Sequence, residues 1–344
     1  MDPISQSVWG AAFSSIAATK KNRELKIAII IGLITGTLAD LDVLIKSKLD
    51  PLLALEFHRH FTHSLLFIPV GALIGAILIK LLFFIFRKNK LPFTRIYLYS
   101  FLGYASHGLL DACTSYGTQL LWPINSVRYA WNIIAIVDPF FTLPILIILL
   151  KNYWYNDIKN KYFPILWGTL YLLFGLIQRE RAERLTLEFA ASRNHLEQVQ
   201  FYDAKPSPLS LFVWKTTYKT KGDYYFVDAV NIGILGNITK YPGASIKAFS
   251  VDRDAPWIYK STRQLKDLER FKWFSSGHIA IHPNYPNVVG DLRYSTIPNR
   301  IEPLWGIKLD QLNQSADRPT PFVSFRKTSK EDFLIFFRML KGEP

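Results

Sequence analysis

Apolar residues run in long uncharged stretches through the first half of the chain and in short, punctuated pieces through the second. Ile27–Ala39 carries no charge and continues to Ile45 with only Asp40 and Asp42 interrupting it. Ser64–Phe86 is 23 residues long with Lys80 as its one charge; Ile96–Leu110 has none, Trp131–Leu150 has Asp138, and Tyr162–Gln178 has none. A bilayer core of ~30 Å needs ~20 apolar residues as helix. The pattern therefore predicts five spans, at 27–45, 64–86, 96–115, 132–150 and 162–178. The small-residue-rich stretch Ile4–Thr19 predicts a further helix within the bundle or at its interface.

Beyond residue 178 the pattern changes. Residues 179–198 read as a helix leaving the membrane. Leu209–Tyr218 and Asp223–Asn231 are rich in aromatic and β-branched residues, with Thr220-Lys221-Gly222-Asp223 between them, which is a hairpin signal. Trp257, Phe271–Phe274, Val288–Tyr294 and Ile301–Leu309 continue as short apolar pieces between Pro, Gly and Asn, and Lys330–Leu340 reads as a closing helix. The expected fold is an α-helical multi-span membrane domain of 5–6 helices over residues 1–178, followed by a smaller, mostly-β extramembrane domain over residues 179–344.

Composition sharpens this division. Residues 1–177 hold 16 Lys/Arg and 9 Asp/Glu, against 25 and 18 in the remainder. Intrinsic disorder is excluded by 25 Phe, 17 Tyr and 9 Trp, and a disulfide scaffold or zinc finger by the single cysteine, Cys113. The net charge of +14 invites a nucleic-acid reading. The first-half basic residues, however, form short clusters between apolar runs: Lys20/Lys21/Arg23/Lys26, Arg87/Lys88/Lys90/Arg95 and Lys151/Lys159/Lys161. With the spans above, all three fall on one face, which the positive-inside rule makes cytoplasmic. The expected partners are membrane lipids and no nucleic acid. A cleaved signal peptide is disfavoured, because the first basic cluster follows the first apolar stretch instead of preceding it.

The opposite face collects ionisable residues, each of which is a functional hypothesis inside a membrane protein. Asp40 and Asp42 end the first long span in GTLADLD; His58, His60 and His63 open the next in HRHFTHS; His107 and Asp111 end the third in SHGLLD at i, i+4, on one helical face. Asp138 starts the fourth. Imidazoles and carboxylates are ligands for zinc, manganese or iron. An ion would also offset the cost of crowding the carboxylates.

The segments MDPISQSVWGAAF, GTLADLDVL, HRHFTHSLLF, SHGLLDACTSYGTQLLWP and IVDPFFTLP together resemble the YdjM-like family of predicted membrane-bound metal-dependent hydrolases. The resemblance is read as continuing through QRERA, FKWFSSG and DLRYS, over nearly the whole chain. It implies a multi-span inner-membrane protein with a His/Asp metal site, carried onto Asp40, Asp42, His58, His63, His107, Asp111 and Asp138. His60 lies at a variable position of the pattern. The family's opening usually reads Thr-His where this chain has Ser5-Gln6, so that a family histidine is here a glutamine.

The expected function is a metal-dependent hydrolase of the bacterial inner membrane. Its active site would lie at the outer leaflet, its C-terminal domain on the outer face, and its substrate would be a lipid or lipid-linked (phospho)ester. Asp42, His63, His107 and Asp111 are the expected ligands of a divalent ion, zinc ahead of manganese or iron. His58 is expected either as a further ligand or as an orienting group. Asp40 stands in the same position and is grouped with the catalytic residues. Asp138 is expected as general base, and Arg59 and Arg128 as anion binders, since a guanidinium offers a fork to phosphate. A metal or proton transporter built on the same cluster and a non-catalytic membrane scaffold are the alternatives. Cys113 reads as a small apolar filler, and His278 and His282 as core or surface residues.

Overall fold

A computed structural model describes residues 1–19, 24–85, 91–234, 236–258, 263–310 and 318–344. The N-terminal half is helical: α1 (Pro3–Ile16), α2 (Glu24–Thr35), the short α3 (Leu53–Phe57), α4 (Ile68–Ile85), α5 (Phe93–Ala112), α6 (Pro139–Tyr155) and α7 (Phe163–Ser192). Local chemistry sets several of the ends. The Asp2 side chain caps α1 by accepting from the Ile4 and Ser5 amides, with Pro3 at the first helical position. Asp138 and Pro139 repeat this at the start of α6, which closes on Asn156 in the left-handed region.

The first long apolar run is not one uniform helix. α2 stops at Thr35 and Leu38–Leu44 tightens into a 3-10 segment. At about 3 residues per turn, positions two apart point in directions about 120° apart. Asp40 and Asp42 therefore address different neighbours.

Two helical segments among the described residues are long and apolar enough to cross a membrane, Glu24–Leu44 and Leu65–Ile85. The expected count of 5–6 spans is not supported. α5 mixes Tyr, Ser, His and Asp into its length, α6 has 17 residues, and α7 becomes charged after Gln178.

The chain divides into two compact units. The first comprises Met1–Leu44, Phe57–Ile177 and Pro208–Ser210; the second comprises Ile45–Glu56, Gln178–Ser207 and Leu211–Pro344. In the first unit α1 and α2 pack at backbone distance. A β carbon on Gly10 would lie 2.6 Å from both the Gly32 carbonyl oxygen and the Gly36 Cα, so only glycine permits this approach. Basic residues gather the helix ends. Arg95, near the start of α5, bonds Glu24 at the start of α2 (2.8 Å) and the Ala17 carbonyl after α1. Lys161 donates to the Ile16 and Ala18 carbonyls, and Lys26 lies over the Tyr153 ring at the end of α6. Positive charge at the carboxyl end of α1 complements its exposed carbonyls. Lys20, Lys21, Arg23, Arg87, Lys88 and Lys90 of the predicted clusters lie outside the described residues.

The second unit holds two four-stranded antiparallel sheets, in the orders β1-β2-β3-β4 and β5-β6-β7-β8. Their strands are β1 (Val199–Pro206), β2 (Val213–Thr220), β3 (Tyr224–Ile232), β4 (Ile238–Lys247), β5 (Ile279–His282), β6 (Tyr285–Asp291), β7 (Trp305–Lys308) and β8 (Phe322–Ser324). The hairpin expected around Lys221-Gly222 is the β2–β3 pair. β2 is buried along nearly its whole length because both faces are covered. The carboxyl-terminal part of α7 lies against one face, where Arg193 forks onto Asp228 at 2.7 Å. The other face meets the second sheet through Tyr225, Ala248, Ala280 and Leu292. Among the described residues the unit also holds the helices α8 (Val251–Asp254), α9 (Arg263–Phe274) and α10 (Lys330–Lys341). The apolar piece Phe271–Phe274, read from sequence beside the β pieces, is the last turn of α9.

Candidate metal centre

The ionisable residues at the ends of α2, α5 and the His58–His63 loop converge. One oxygen or nitrogen from each of Asp40, His63, His107 and Asp111 lies within 4.8 Å of all the others, and Asp40, Asp42 and His58 form a second such group. Asp40 belongs to both.

In the first group the two imidazoles face each other, Nε2 to Nε2, at 3.0 Å. Asp40 Oδ1 lies 3.4 Å from His63 Nε2 and 3.3 Å from His107 Nε2; Asp111 Oδ2 lies 3.3 and 3.7 Å from the same atoms. Four ligands at about 2.0–2.1 Å around a tetrahedral zinc stand about 3.3–3.4 Å apart. The donor set and its spacing thus fit a tetrahedral divalent ion. His63, His107 and Asp111 are buried, while Asp40 keeps 19% of its side chain exposed and so gives the group an open side.

The ligand atoms are aimed from behind. His107 Nδ1 donates to the Gly36 carbonyl at 2.5 Å, which leaves the Nε2 lone pair facing inward. His63 Nδ1 is 3.2 Å from Asp42 Oδ2, an arrangement of carboxylate, imidazole and metal position that fixes ring orientation. Asp42 is itself held by the Arg59 amide (2.9 Å), the Thr62 hydroxyl (3.0 Å) and His58 Nδ1 (2.8 Å).

Arg59 adopts a positive φ of 62° and lies buried against the cluster. Its Nε is 3.0 Å from Asp111 Oδ2 and its Nη1 donates to Thr114 Oγ1 at 2.8 Å. The Tyr116 ring carries the guanidinium of Arg59 at 4.9 Å and that of Arg128 at 5.6 Å. Gln6 reaches the same place from α1: its Nε2 donates to Asp111 Oδ1 at 2.6 Å, and its Oε1 is buried without a partner. The Met1 amino group contacts the same Asp111 oxygen.

Asp138 is not brought into either group. It caps α6 through Oδ1 and takes the Tyr171 hydroxyl on both oxygens, at 2.9 and 2.8 Å. Cys113 packs in the apolar core of the helices. His278 packs edge-on against Phe201 and tilted against Tyr225, and His282 packs edge-on against Tyr285 and tilted against Phe325; neither joins a metal-binding group among the described residues. Sequence reasoning passed over Thr62, Thr114, Tyr116 and the Gly36 carbonyl. The first three sit inside the HRHFTHS and DACTSYG motifs, where they could have been suspected. A backbone acceptor leaves no residue-type signal.

The helical unit thus combines two segments long and apolar enough to cross a membrane with a His/Asp cluster whose donors could hold a metal ion. The family model of the YdjM inner membrane protein matches residues 1–182, and the chain belongs to that family. The match takes in QRERA and ends at residue 182, so FKWFSSG and DLRYS lie beyond it. Comparison with curated proteins and with solved structures returns no match.

Proposed function

We propose that this protein is a metal-dependent hydrolase of the bacterial inner membrane, acting on a lipid or lipid-linked phosphoester. The observation that carries the reading is the spacing of the two imidazoles and two carboxylates, close to the edges of a tetrahedron around a divalent ion. His63, His107, Asp40 and Asp111 would hold the ion, with Asp42 and His58 completing a second position through Asp40. Zinc suits this donor set, and when bound it supplies a water ionised near neutral pH and a Lewis-acid pull on the scissile bond.

The chain's own residues supply the rest. Asp42 and the Gly36 carbonyl hold both imidazoles in orientation. Arg59 and Arg128, gathered on the Tyr116 ring beside the cluster, draw an anionic group toward it. His58 pairs with Asp42 while keeping 24% of its side chain exposed, so the second position opens toward solvent.

The grouping of Lys26, Arg95 and Lys161 at one set of helix ends supports a cytoplasmic placement of that end under the positive-inside rule. The site, at the other ends of α2 and α5, then lies toward the outer leaflet. Outward-facing Leu73, Ile77, Leu81, Leu143, Ile147, Leu166, Leu170 and Leu173 on α4, α6 and α7 support a multi-pass arrangement with these side chains in lipid.

The test pairs elemental analysis of detergent-purified protein with hydrolysis of phospholipid phosphoesters in vesicles. Bound divalent metal and turnover, both lost in His107→Ala, are expected. Metal-free protein would overturn the proposal, and metal flux without ester turnover would favour transport.

A further inference from the structure

The closing helix α10 has two apolar faces. Ile335, Phe336, Met339 and Leu340 pack on Val213, Ala229 and Ile297 of the second unit. The helix is well fixed there: Ser329 and Asp332 form a capping box, Gly342 closes the far end at φ 75°, and Asn231 Nδ2 donates to the Met339 carbonyl at 2.7 Å. Phe333, Leu334 and Phe337 lie on another side and are 57%, 62% and 47% exposed. They form a single patch, because Phe337 stands i+4 from Phe333 and i+3 from Leu334, and the two phenyl rings stack at 6.2 Å.

A core does not need these residues, and their surroundings indicate what does. Lys330 and Lys341 stand at the two ends of the patch and Arg338 along its side, with Lys341 Nζ 5.1 Å from the Phe337 ring. The acidic Asp332 is turned away into its cap and onto Arg300 at 2.7 Å. Glu331 and Glu343 are the remaining acidic groups of the segment; Glu343 Oε1 stands 3.7 Å from Lys341 Nζ, a long, half-exposed pair that a lipid phosphate can replace. Exposed aromatic and leucine side chains framed by lysine and arginine on one stripe of a short helix match the chemistry of a bilayer interface. There the rings enter the headgroup–acyl boundary and the ammonium groups meet lipid phosphates.

We infer that the Phe333–Leu334–Phe337 face of α10 docks on the surface of an anionic phospholipid membrane. The family places this chain in a membrane, so the partner is always within reach of the molecule. The inference is independent of the metal-centre reading.

The experiment places a nitroxide at Leu334→Cys in the full chain, reconstituted into vesicles of mixed phosphatidylcholine and phosphatidylglycerol. The parent chain serves as control, since its Cys113 is buried. The label sits on the exposed side, so the packing of Ile335, Phe336, Met339 and Leu340 is left intact. Collisions with dissolved oxygen are expected to exceed those with a water-soluble nickel chelate. Lys330→Gln and Lys341→Gln should each reduce the docked fraction's equilibrium constant about fivefold, the equivalent of about 1 kcal/mol per basic residue near an anionic surface. Free access of the nickel chelate in the mixed vesicles would overturn the inference. So would dipolar broadening between labels, which would show a second copy of the chain covering the patch.

Discussion

His63 and His107 present their Nε2 atoms to one another at 3.0 Å, each ring braced at its other nitrogen, one by the Asp42 carboxylate and one by the Gly36 carbonyl. Two imidazole nitrogens at that distance can hold at most one proton between them. With the His107 proton committed to Gly36, the inward lone pair is available to a cation.

Removing a donor from this arrangement should release the ion. His107→Ala and Asp111→Ala are expected to lose metal on purification, and to lose stability when assayed with the ion present, because the remaining carboxylates are left crowded with less opposing charge. Asp42→Asn keeps the shape but weakens the brace behind His63; it should lower metal affinity about 10–100-fold. Elemental analysis and chelator competition check the series. Equal metal content in all three variants would remove the cluster from consideration.

Gln6 offers a gain-of-function test. Its amide already bonds Asp111, so an imidazole at this position would stand beside the ligand atoms. Gln6→His should tighten metal binding, since imidazole nitrogen is a better zinc ligand than a neutral amide. A chelator titration showing the same affinity for both proteins would argue against a place for this side chain in the site.

Gly108 follows His107 and stands where the loop bearing His63 crosses α5. A β carbon there would lie 2.3 Å from the His63 carbonyl oxygen, a backbone atom that cannot rotate aside. Gly108→Ala should destabilise the helical unit by about 1–3 kcal/mol and weaken metal binding with it. Thermal unfolding in detergent, with and without added zinc, measures both effects; a change in neither would mean that the loop yields freely.

Acid should act on the second unit through His278. Burial, with Lys205 and Arg293 nearby, pushes its pKa down from 6.5 to about 3, and its Nε2 has no hydrogen-bond partner. Between those values the unfolded chain takes up the proton and the folded chain does not. Stability contributed by this residue is therefore complete above the unfolded value and lost as pH falls toward about 3, at up to about 1.4 kcal/mol per pH unit. His278→Phe should flatten that part of the pH profile, as read by limited proteolysis of the unit. An unchanged slope would show that other groups carry the acid sensitivity.

Much of the architecture is legible in the sequence. Long uncharged runs announce helices, and the Lys221-Gly222 punctuation between β-branched stretches announces the β2–β3 hairpin, because both signals are local. The i, i+4 spacing of His107 and Asp111 is local in the same sense, and the helix α5 delivers both to one point. Phe271–Phe274 shows the limit: four apolar-rich residues carry too little periodicity to separate a strand from the last turn of a helix.

Sequence by itself determined which chemical groups were available and that they lay at the ends of apolar segments. Tertiary structure alone decided how they are used. The 3-10 turn at Leu38–Leu44 points Asp40 at the two imidazoles and Asp42 behind His63, a distinction invisible in the string LADLD. The glycine-lined approach of α1 to α2 carries Gln6 to Asp111 across 105 positions of chain. Tyr171, from another helix, occupies both oxygens of Asp138 and keeps it at its cap. In each case the deciding contact is made by a residue distant in sequence, and the pattern of one segment does not record what the packing of another will place beside it.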